Sequence, residues 1–289
     1  MREIDAETPA RFNADPRRLF EASGSAGKLM VFALRLDTFS KETGPQVFYV
    51  GTNETRVFTE LRRRILAEYE TLPISCEYMH RDAFDTAERY GKDTFLMIRM
   101  LGTKRLPSLF ALKSRIDGFC DRLGFLPPSM SDRLLQWVGQ LFPAHLPARL
   151  KQYRDRYAHH LILKVSAGSV AQTRQLLTEH FSRFAGDYFE CTPQEGSLAF
   201  LHRFVTAGAA VRYRIMHRDT VEDIVSLDIA LRRNERDWFE TLPEDIDRSL
   251  LKKIYYGHFL CHVLHQDYIV AKGTDRLALE HRMWDLLDA

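Results

Sequence analysis

The chain has 289 residues, of which 45% are hydrophobic and 28% charged, a composition that supports a sizeable core and excludes an intrinsically disordered protein. Its longest apolar runs, such as Leu29–Leu34, fall far short of the roughly 20 residues of a membrane-spanning helix. The opening MREIDAETPARF has acidic residues where a secretory signal has an apolar stretch. Four scattered cysteines without a C-x-x-C pair argue against a disulfide framework or a zinc site. We expect a cytoplasmic globular protein.

The net charge of +2 conceals an uneven distribution. Residues 99–156 hold 11 Lys or Arg against 4 Asp or Glu, whereas the rest of the chain holds 30 against 35. A basic segment within an otherwise acidic chain predicts an anionic partner.

The first elements in chain order are a glycine-rich turn at Gly24–Gly27 and a buried strand at Lys28–Leu36. Gln46–Gly51 predicts a second strand, followed by a helix that ends before Pro73. We expect Asn53 to cap this helix and the arginines at 62–64 to lie on its solvated face. Its apolar stripe consists of Val57, Phe58, Leu61, Ile65, Leu66 and Tyr69.

The second half of the chain alternates between the two kinds of element. The predicted strands are His160–Val165, Val211–His217, Ile224–Leu231 and His258–Val270, and the predicted helices are Ser169–Phe184, Pro243–Tyr255 and Arg276–Leu287. This mixture predicts an α+β fold, with helices packed on one face of an antiparallel sheet.

The middle of the chain predicts two short amphipathic helices and no strand. Ser131 is the expected cap of the second helix, and Trp137 lies at the edge of its apolar face, which comprises Leu134, Leu135, Val138, Leu141 and Phe142. Cations bracket it: Lys104, Arg105, Lys113 and Arg115 before, and Arg149, Lys151, Arg154 and Arg156 after. This pattern is typical of a helix in a membrane interface. An ordinary helical subdomain is the alternative; nucleic acid is less favoured because stacking aromatics are not interleaved with the cations.

Several long blocks are similar to one known family. They include DAETPARFNADPRRLFEASGSAGKLMVFALRLDTF, EYMHRDAFDTAERYGKDTFLMIRMLGT, FPAHLPARLKQYRDRYAHHL, RRNERDWFETLPEDID and YYGHFLCHVLHQDYIVAKG. The chain resembles the respiratory, quinone-dependent D-lactate dehydrogenases, which are FAD enzymes of the vanillyl-alcohol-oxidase type. The resemblance implies oxidation of D-lactate to pyruvate, with hydride transfer to FAD and electrons passed to membrane quinone. It also implies a peripheral location on an anionic phospholipid surface, at the cytoplasmic face of the inner membrane.

The resemblance also implies a domain plan. Residues 1–37 correspond to the C-terminal edge of an FAD-binding domain; residues 38–79, 157–194 and 219–289 form a cap over the substrate; and residues 80–156 and 195–218 form a membrane-binding domain. Gly24, Ser25, Gly27 and the main chain of Val31 stand where the family contacts FAD. Family members are about twice this length, so we expect the FAD site to be incomplete and the chain to be inactive alone. The alternative is a non-catalytic module that docks on a separately encoded FAD-domain chain.

Histidines supply the candidate catalytic residues. Gly257-His258 and His265 reproduce the spacing of the G-H-x6-H motif of related metal-dependent flavin dehydrogenases, although FLCHVL replaces the turn between them. Residues seven apart on one strand face opposite sides and could meet at one ligand only through a bulge, whereas His258 and His262 would share a face. We therefore predict pocket roles for His258 and His265 and no metal. The alternatives are metal ligation and packed or hydrogen-bonded strand histidines. His202, Arg203 and Arg212 are candidates to bind the lactate carboxylate and hydroxyl.

Overall fold

A computed structural model describes residues 1–10, 28–35, 38, 44–123 and 129–288. Within these ranges the fold is built on a seven-stranded sheet in the order β4-β1-β3-β2-β6-β7-β5, and every paired strand is antiparallel. The α+β prediction is therefore confirmed. The strands are β1 (Gln46–Thr52), β2 (Ser75–His80), β3 (His159–Val165), β4 (Asp187–Glu190), β5 (Val221–Ala230), β6 (Leu250–His258) and β7 (Val263–Ala271).

Helices cover both faces of the sheet, so the predicted placement of helices on one face alone is wrong. They are α1 (Thr55–Glu68), α2 (Arg81–Tyr90), α3 (Lys92–Leu101), α4 (Leu106–Arg122), α5 (Met130–Leu141), α6 (Ala148–Arg156), α7 (Val170–Phe181), α8 (Pro193–Phe204), α9 (Thr206–Met216), α10 (Glu244–Asp247) and α11 (Arg276–Asp288). Residues of α1, α7 and α11, which belong to the predicted cap, share one core with the sheet. Residues of α2, α3, α6, α8 and α9 share the core on the opposite face.

The apolar stripe of α1 packs as its helical period predicts. All six side chains of the stripe are buried, and Phe58 and Leu61 have no exposed surface. Full burial of an aliphatic or aromatic side chain stabilises the folded state by about 1.5–3 kcal/mol. This helix therefore anchors the first core, where Phe58 and Trp238 both pack against Phe259.

The predicted Asn53 cap is wrong. Glu54 occupies the N-cap position of α1 and makes no side-chain capping bond. Asn53 instead accepts a hydrogen bond from the Ala158 amide at 2.8 Å and donates one to the Arg156 carbonyl at 3.1 Å. Its amide group connects the start of α1 to the end of α6.

The solvated-face interpretation of the three arginines is wrong for Arg62. Its guanidinium is buried, and it donates to the carbonyls of Leu260 at 3.1 Å and Arg233 at 3.0 Å. Burial lowers its pKa to about 10. Arg63 and Arg64 keep to the surface and pair with carboxylates. Helical geometry decides the difference, since Arg62 follows Leu61 on the side of the helix that faces the core.

Two predicted elements have the wrong type. The predicted strand at 211–217 lies in α9 and its C-terminal cap, and Ala210 and Tyr213 of this helix pack in the second core. The predicted helix at 243–255 divides into the single turn of α10 and strand β6. Alternating aromatic and β-branched residues favour a strand at 211–217, but packing in the second core overrides this preference.

The predicted buried strand at 28–36 is not observed over its described residues. Residues 28–35 form no strand, and Met30 and Phe32 are 80% and 90% exposed. An extended segment requires a neighbour to satisfy its backbone hydrogen bonds, and 28–35 lie outside the sheet. Gly24, Ser25 and Gly27 fall outside the described residues.

Candidate functional site

His258 and His265 lie side by side on one face of the sheet. His258 ends β6 and β7 begins at Val263, so the chain reverses between the two histidines, and Tyr256 is the cross-strand partner of His265. The imidazole centroids are 5.3 Å apart, with the rings nearly perpendicular. The predicted single strand, and with it the placement on opposite faces, is wrong because of this hairpin.

His262 does not share the face of His258, contrary to prediction. It lies in the reversal with a positive φ of 50°, is 1% exposed, and its ring packs near Phe259. Burial lowers its pKa to about 3. It is a core histidine of the hairpin.

A carboxylate lies behind each of the two paired histidines. Nδ1 of His258 is 3.0 Å from Oε1 of Glu77, and Nδ1 of His265 is hydrogen-bonded to Asp228. An Nδ1–H that donates to a carboxylate fixes the tautomer of a neutral imidazole and leaves Nε2 with a free lone pair. Neither Nε2 has a hydrogen-bond partner within the described ranges. The arrangement presents two bases that can accept a proton from a bound hydroxyl group.

Arg203 joins the same cluster from α8. Its Nη2 is 3.1 Å from Oε2 of Glu77, and its guanidinium lies 4.5 Å above the Tyr256 ring. Burial lowers the pKa of Arg203, and the charge of Glu77 opposes this shift. Burial alone would raise the pKa of Glu77, but the hydrogen bond to His258 and the charge of Arg203 outweigh it and hold that pKa below its usual value. Glu77 is therefore an ionised carboxylate shared by His258 and Arg203.

Asp267 completes the cluster from β7, two residues after His265. It accepts hydrogen bonds from the Tyr256 hydroxyl at 2.9 Å and from the Ser226 hydroxyl at 2.6 Å. Burial raises the pKa of Asp267, while the two hydrogen bonds oppose the rise. We call the set Glu77, Arg203, Asp228, Tyr256, His258, His265 and Asp267 the histidine cluster. No group of three or more His, Cys, Asp or Glu suited to hold a metal ion occurs in the described part of the chain.

Sequence reasoning missed Glu77, Asp228, Tyr256 and Asp267. Glu77 lies 181 residues from His258 and reaches it because β2 pairs with β6. The only signal in the sequence was the strand alternation of β6 and β7, which puts alternate residues on one face.

Two predicted substrate-binding residues lie elsewhere. His202 is 1% exposed, its Nε2 is 3.1 Å from the Phe84 carbonyl oxygen, and burial lowers its pKa to about 3. Arg212 is buried between Asp93 at 3.0 Å and Asp132 at 2.7 Å. Both side chains are engaged inside the helical layer, and we leave them out of the proposed substrate site.

The second candidate site is the hairpin formed by α4 and α5, in which the usual polarity of a surface helix is inverted. The buried residues of α5 are Ser131, Asp132, Gln136 and Gly139. Leu134, Trp137 and Leu141 point outward and are 55%, 60% and 68% exposed. A helix of a globular protein normally turns its apolar stripe towards the core, so this apolar face is available to a partner.

Exposed apolar side chains also occur on the neighbouring helices. Leu112, Ile116 and Phe119 recur every three or four residues along α4 and are all exposed, which places them on one side of that helix. Met100 and Leu101 at the end of α3, and Phe142 directly after α5, are exposed as well. Singly exposed apolar residues need no explanation, but a concentration of this kind marks an interaction site. We call the set Met100, Leu101, Leu112, Ile116, Phe119, Leu134, Trp137, Leu141 and Phe142 the apolar hairpin residues.

Charged side chains fill the inner side of the hairpin. Lys113 on α4 lies 2.7 Å from Asp132 and 3.2 Å from Asp117. Asp117 accepts from the amide of Ser131 at 2.9 Å and from its hydroxyl at 2.6 Å; burial raises the Asp117 pKa, but the bonds from Ser131 and Lys113 lower it further. Ser131 is therefore not the predicted cap. Ser129 precedes the helix, and Asp117 satisfies the α5 terminus from α4.

Apart from Lys113, the predicted membrane-binding cations divide into two groups. Lys104, Arg105 and Arg115 are exposed and make no ion pair with any other described residue. The four cations of α6 face carboxylates of the second helical layer and of β4: Arg149 with Glu195, Lys151 with Glu88, Arg154 with Asp85, and Arg156 with Asp187. The first group, next to the apolar hairpin residues, is the one free to meet external anions.

Val31 is the one described residue of the predicted FAD contacts. The residue is 47% exposed and lies outside the sheet. Its contact with FAD stays a prediction.

The fold and these sites define an α+β domain with a polar cluster on its sheet and an outward-facing apolar helical hairpin. No helix in the described ranges has the length and apolar character needed to cross a bilayer. The chain belongs to the family described as "D-lactate dehydrogenase, membrane binding", whose model matches residues 47–289.

Curated relatives agree with this assignment. The chain is 57% identical over 287 residues to a quinone-dependent D-lactate dehydrogenase of Escherichia coli (strain K12), covering 99% of this chain and 50% of the relative. It is 53% identical to the protein of the same name from Haemophilus influenzae, covering 100% of this chain and 51% of the relative. It is 45% identical to that from Corynebacterium glutamicum, covering 97% and 50%. The chain thus spans about half the length of the relatives it matches.

Proposed function

We propose that this chain forms the substrate-covering and membrane-docking part of a quinone-dependent D-lactate dehydrogenase. The reaction is the oxidation of D-lactate to pyruvate, with the electrons delivered to a membrane quinone. Relatives of that name align with nearly the whole chain at 45–57% identity. The inverted polarity of α5 is the observation that carries the membrane role, because it leaves Leu134, Trp137 and Leu141 without a partner inside the fold.

The histidine cluster is the proposed lactate site. Lactate carries a carboxylate and a hydroxyl group, and the cluster offers a guanidinium and two imidazoles within one set of contacts. Arg203 attracts the carboxylate, and Nε2 of His258 or His265 accepts the hydroxyl proton. Glu77 and Asp228 hold the imidazoles in the tautomer that this role requires. FAD, when bound, supplies the hydride acceptor, and Val31 with Gly24, Ser25 and Gly27 are the residues we assign to it.

The apolar hairpin residues are the proposed membrane contact. Their side chains would enter the interface between headgroups and acyl chains, with Trp137 suited to the boundary. Lys104, Arg105 and Arg115 are free to pair with phosphate groups, each worth about 1 kcal/mol near an anionic surface. This mode of attachment would make the protein peripheral, on the cytoplasmic face of the inner membrane.

Vesicle co-sedimentation tests the membrane role. A variant with Leu134→Ser, Trp137→Ser and Leu141→Ser should lose most binding to anionic vesicles. The matched control carries Leu277→Ser, Trp284→Ser and Leu286→Ser on α11, where the same residue types are also exposed, and it should bind like the parent. Binding of the parent should weaken as salt rises. Equal binding of the two triple variants, or indifference of the parent to both salt and lipid charge, would contradict the proposal.

Kinetics in a complete relative test the lactate role. We expect Ala at the position of the E. coli relative that aligns with His258 to lower kcat/KM for D-lactate by about 100-fold or more, the usual contribution of a general base. The equivalent of His202, changed to Gln, serves as the control because His202 makes its contacts in the core. An unchanged kcat/KM for the His258 variant would remove this histidine from the mechanism.

A further inference from the structure

A cavity of about 250 Å3 lies between α3 and α5. Its lining includes Leu96, Met97, Met100, Leu135, Val138 and Phe142. Met100 and Phe142 are exposed at the same time, at 75% and 46%, so the cavity opens at the surface formed by the apolar hairpin residues. An apolar cavity at this position connects a prospective lipid surface with the interior of the helical layer.

Asp93 and Gly139 line the buried end of the cavity. Asp93 lies in the first turn of α3, and its carboxylate accepts a hydrogen bond from the buried Arg212 at 3.0 Å. Gly139 of α5 faces Asp93, and a Cβ at position 139 would lie 3.8 Å from the Asp93 amide nitrogen. A methyl group at position 139 would therefore contact Asp93 at an ordinary van der Waals distance, and a larger side chain there would crowd this end of the cavity.

We propose that this cavity binds the hydrocarbon part of the membrane quinone. The inference rests on the proposed function, in which the electron acceptor is a quinone dissolved in the bilayer. A peripheral protein can rest on phospholipid without a cavity, whereas an acceptor dissolved in lipid must be held at a defined place. The cavity is smaller than the roughly 300–1,000 Å3 that encloses a drug-sized ligand. It would hold one segment of the quinone while the remainder stays in lipid, and Met97 and Met100 supply adaptable packing for it.

The test replaces Gly139. Gly139→Leu adds an isobutyl group at a position that lines the cavity, and Gly139→Ala is the matched control because its methyl group meets no atom closer than 3.8 Å. Glycine inside a helix is unfavourable relative to Ala or Leu, so Gly139→Ala should not weaken α5. Overpacking beside Asp93 should lower the unfolding midpoint of Gly139→Leu. A single cooperative unfolding transition well above the assay temperature would establish that each variant is folded.

The measurement is the quenching of tryptophan fluorescence by decyl-ubiquinone, with the full chain in neutral detergent. Trp137 is two residues from Gly139, so a quinone in the cavity lies near an emitting group. We expect the Kd of the Gly139→Leu variant to rise by about tenfold or more and that of Gly139→Ala to stay within about threefold. Lysophosphatidylcholine, which offers an acyl chain without a quinone, should not displace the probe at equal concentration.

Each result decides the inference. Equal Kd values for the parent and Gly139→Leu would overturn the cavity as the quinone site. Displacement by lysophosphatidylcholine would assign the cavity to a phospholipid chain and overturn it as well. Vesicle binding should be unchanged by Gly139→Leu. If the parent failed to bind vesicles while the quinone result held in detergent, the membrane role would fail and the cavity assignment would stand.

Discussion

Asp132 is the residue on which the inverted packing of α5 depends most. The residue is 5% exposed. Its carboxylate contacts two cations, Nζ of Lys113 on α4 and Nε of Arg212 on α9, each at 2.7 Å. Asp132→Ala would leave Arg212 buried with Asp93 as its remaining carboxylate. Removal of one partner from a buried ion pair costs about 3–5 kcal/mol where an uncompensated charge stays behind. Because Asp93 still partners Arg212, we expect a smaller loss, about the 1.5–3 kcal/mol of a hydrogen bond to a charged group.

The prediction is a loss of about that size in the free energy of unfolding. In a chain of this length it corresponds to a fall in Tm of roughly 3–12 °C. Urea unfolding followed by circular dichroism would give the free energy, and hydrogen exchange over residues 130–141 would show whether α5 opens separately from the sheet.

Glu244→Ala is the control for this substitution. Glu244 pairs with Arg248 at the surface, where both side chains are more than 70% exposed, and such pairs contribute no more than about 1 kcal/mol. If Asp132→Ala destabilised the chain no more than Glu244→Ala does, and exchange over α5 were unchanged, the buried network would not be what orients the helix.

Three further outcomes follow from the buried groups. Burial lowers the pKa of His202 to about 3, so its contribution to stability is complete above pH 6.5 and is lost as pH falls towards 3. His202→Gln should reduce the slope of unfolding free energy against pH in that window by about 1.4 kcal/mol per pH unit. An unchanged slope would refute this prediction. Glu77→Gln should shift the neutral His258 ring away from its Nδ1–H tautomer, visible in side-chain nitrogen NMR spectra; an identical tautomer in the variant would count against the pairing. Gly257→Ala should destabilise the chain by about 2 kcal/mol or more in thermal unfolding, since the new Cβ would lie 2.4 Å from a carbonyl oxygen of β7. Gly208→Ala is the control and should be neutral or stabilising, because a Cβ at position 208 meets open space.

Periodicity predicts α1 well because the contacts that decide its orientation follow its own apolar stripe. For α5, periodicity identified the apolar face but did not indicate whether that face points to the core or to solvent. That direction depends on Asp132 meeting Arg212, a residue 80 positions later in the chain. Interactions at such separations leave no mark on the local pattern, so the basic segment and the apolar face could be predicted while the polar interior of the hairpin could not.

The histidine pair shows the same limit in a strand. The spacing of His258 and His265 was read correctly from the sequence, but the reversal between them carries no Gly, Pro or Asn signal of the kind that marks a hairpin turn. His262 adopts the positive φ instead, a conformation that non-glycine residues seldom take. The local pattern therefore predicts a continuous strand. It cannot predict the carboxylates that pair with the histidines, because Glu77 and Asp228 lie on the separate strands β2 and β5.

The α8–α9 segment gives the two candidate sites a common mechanical support. Arg203 near the end of α8 reaches the histidine cluster, and Arg212 on α9 holds the inner side of the hairpin. Both helices pack in the same core as Tyr256 of β6. If this layer is rigid, Asp132→Ala should free α5 while His258 keeps its Glu77 partner, because the α8 contact does not depend on the hairpin. A loss of the His258 tautomer in the Asp132 variant would show instead that hairpin and cluster respond as one unit, so that membrane contact could influence the substrate side of the sheet.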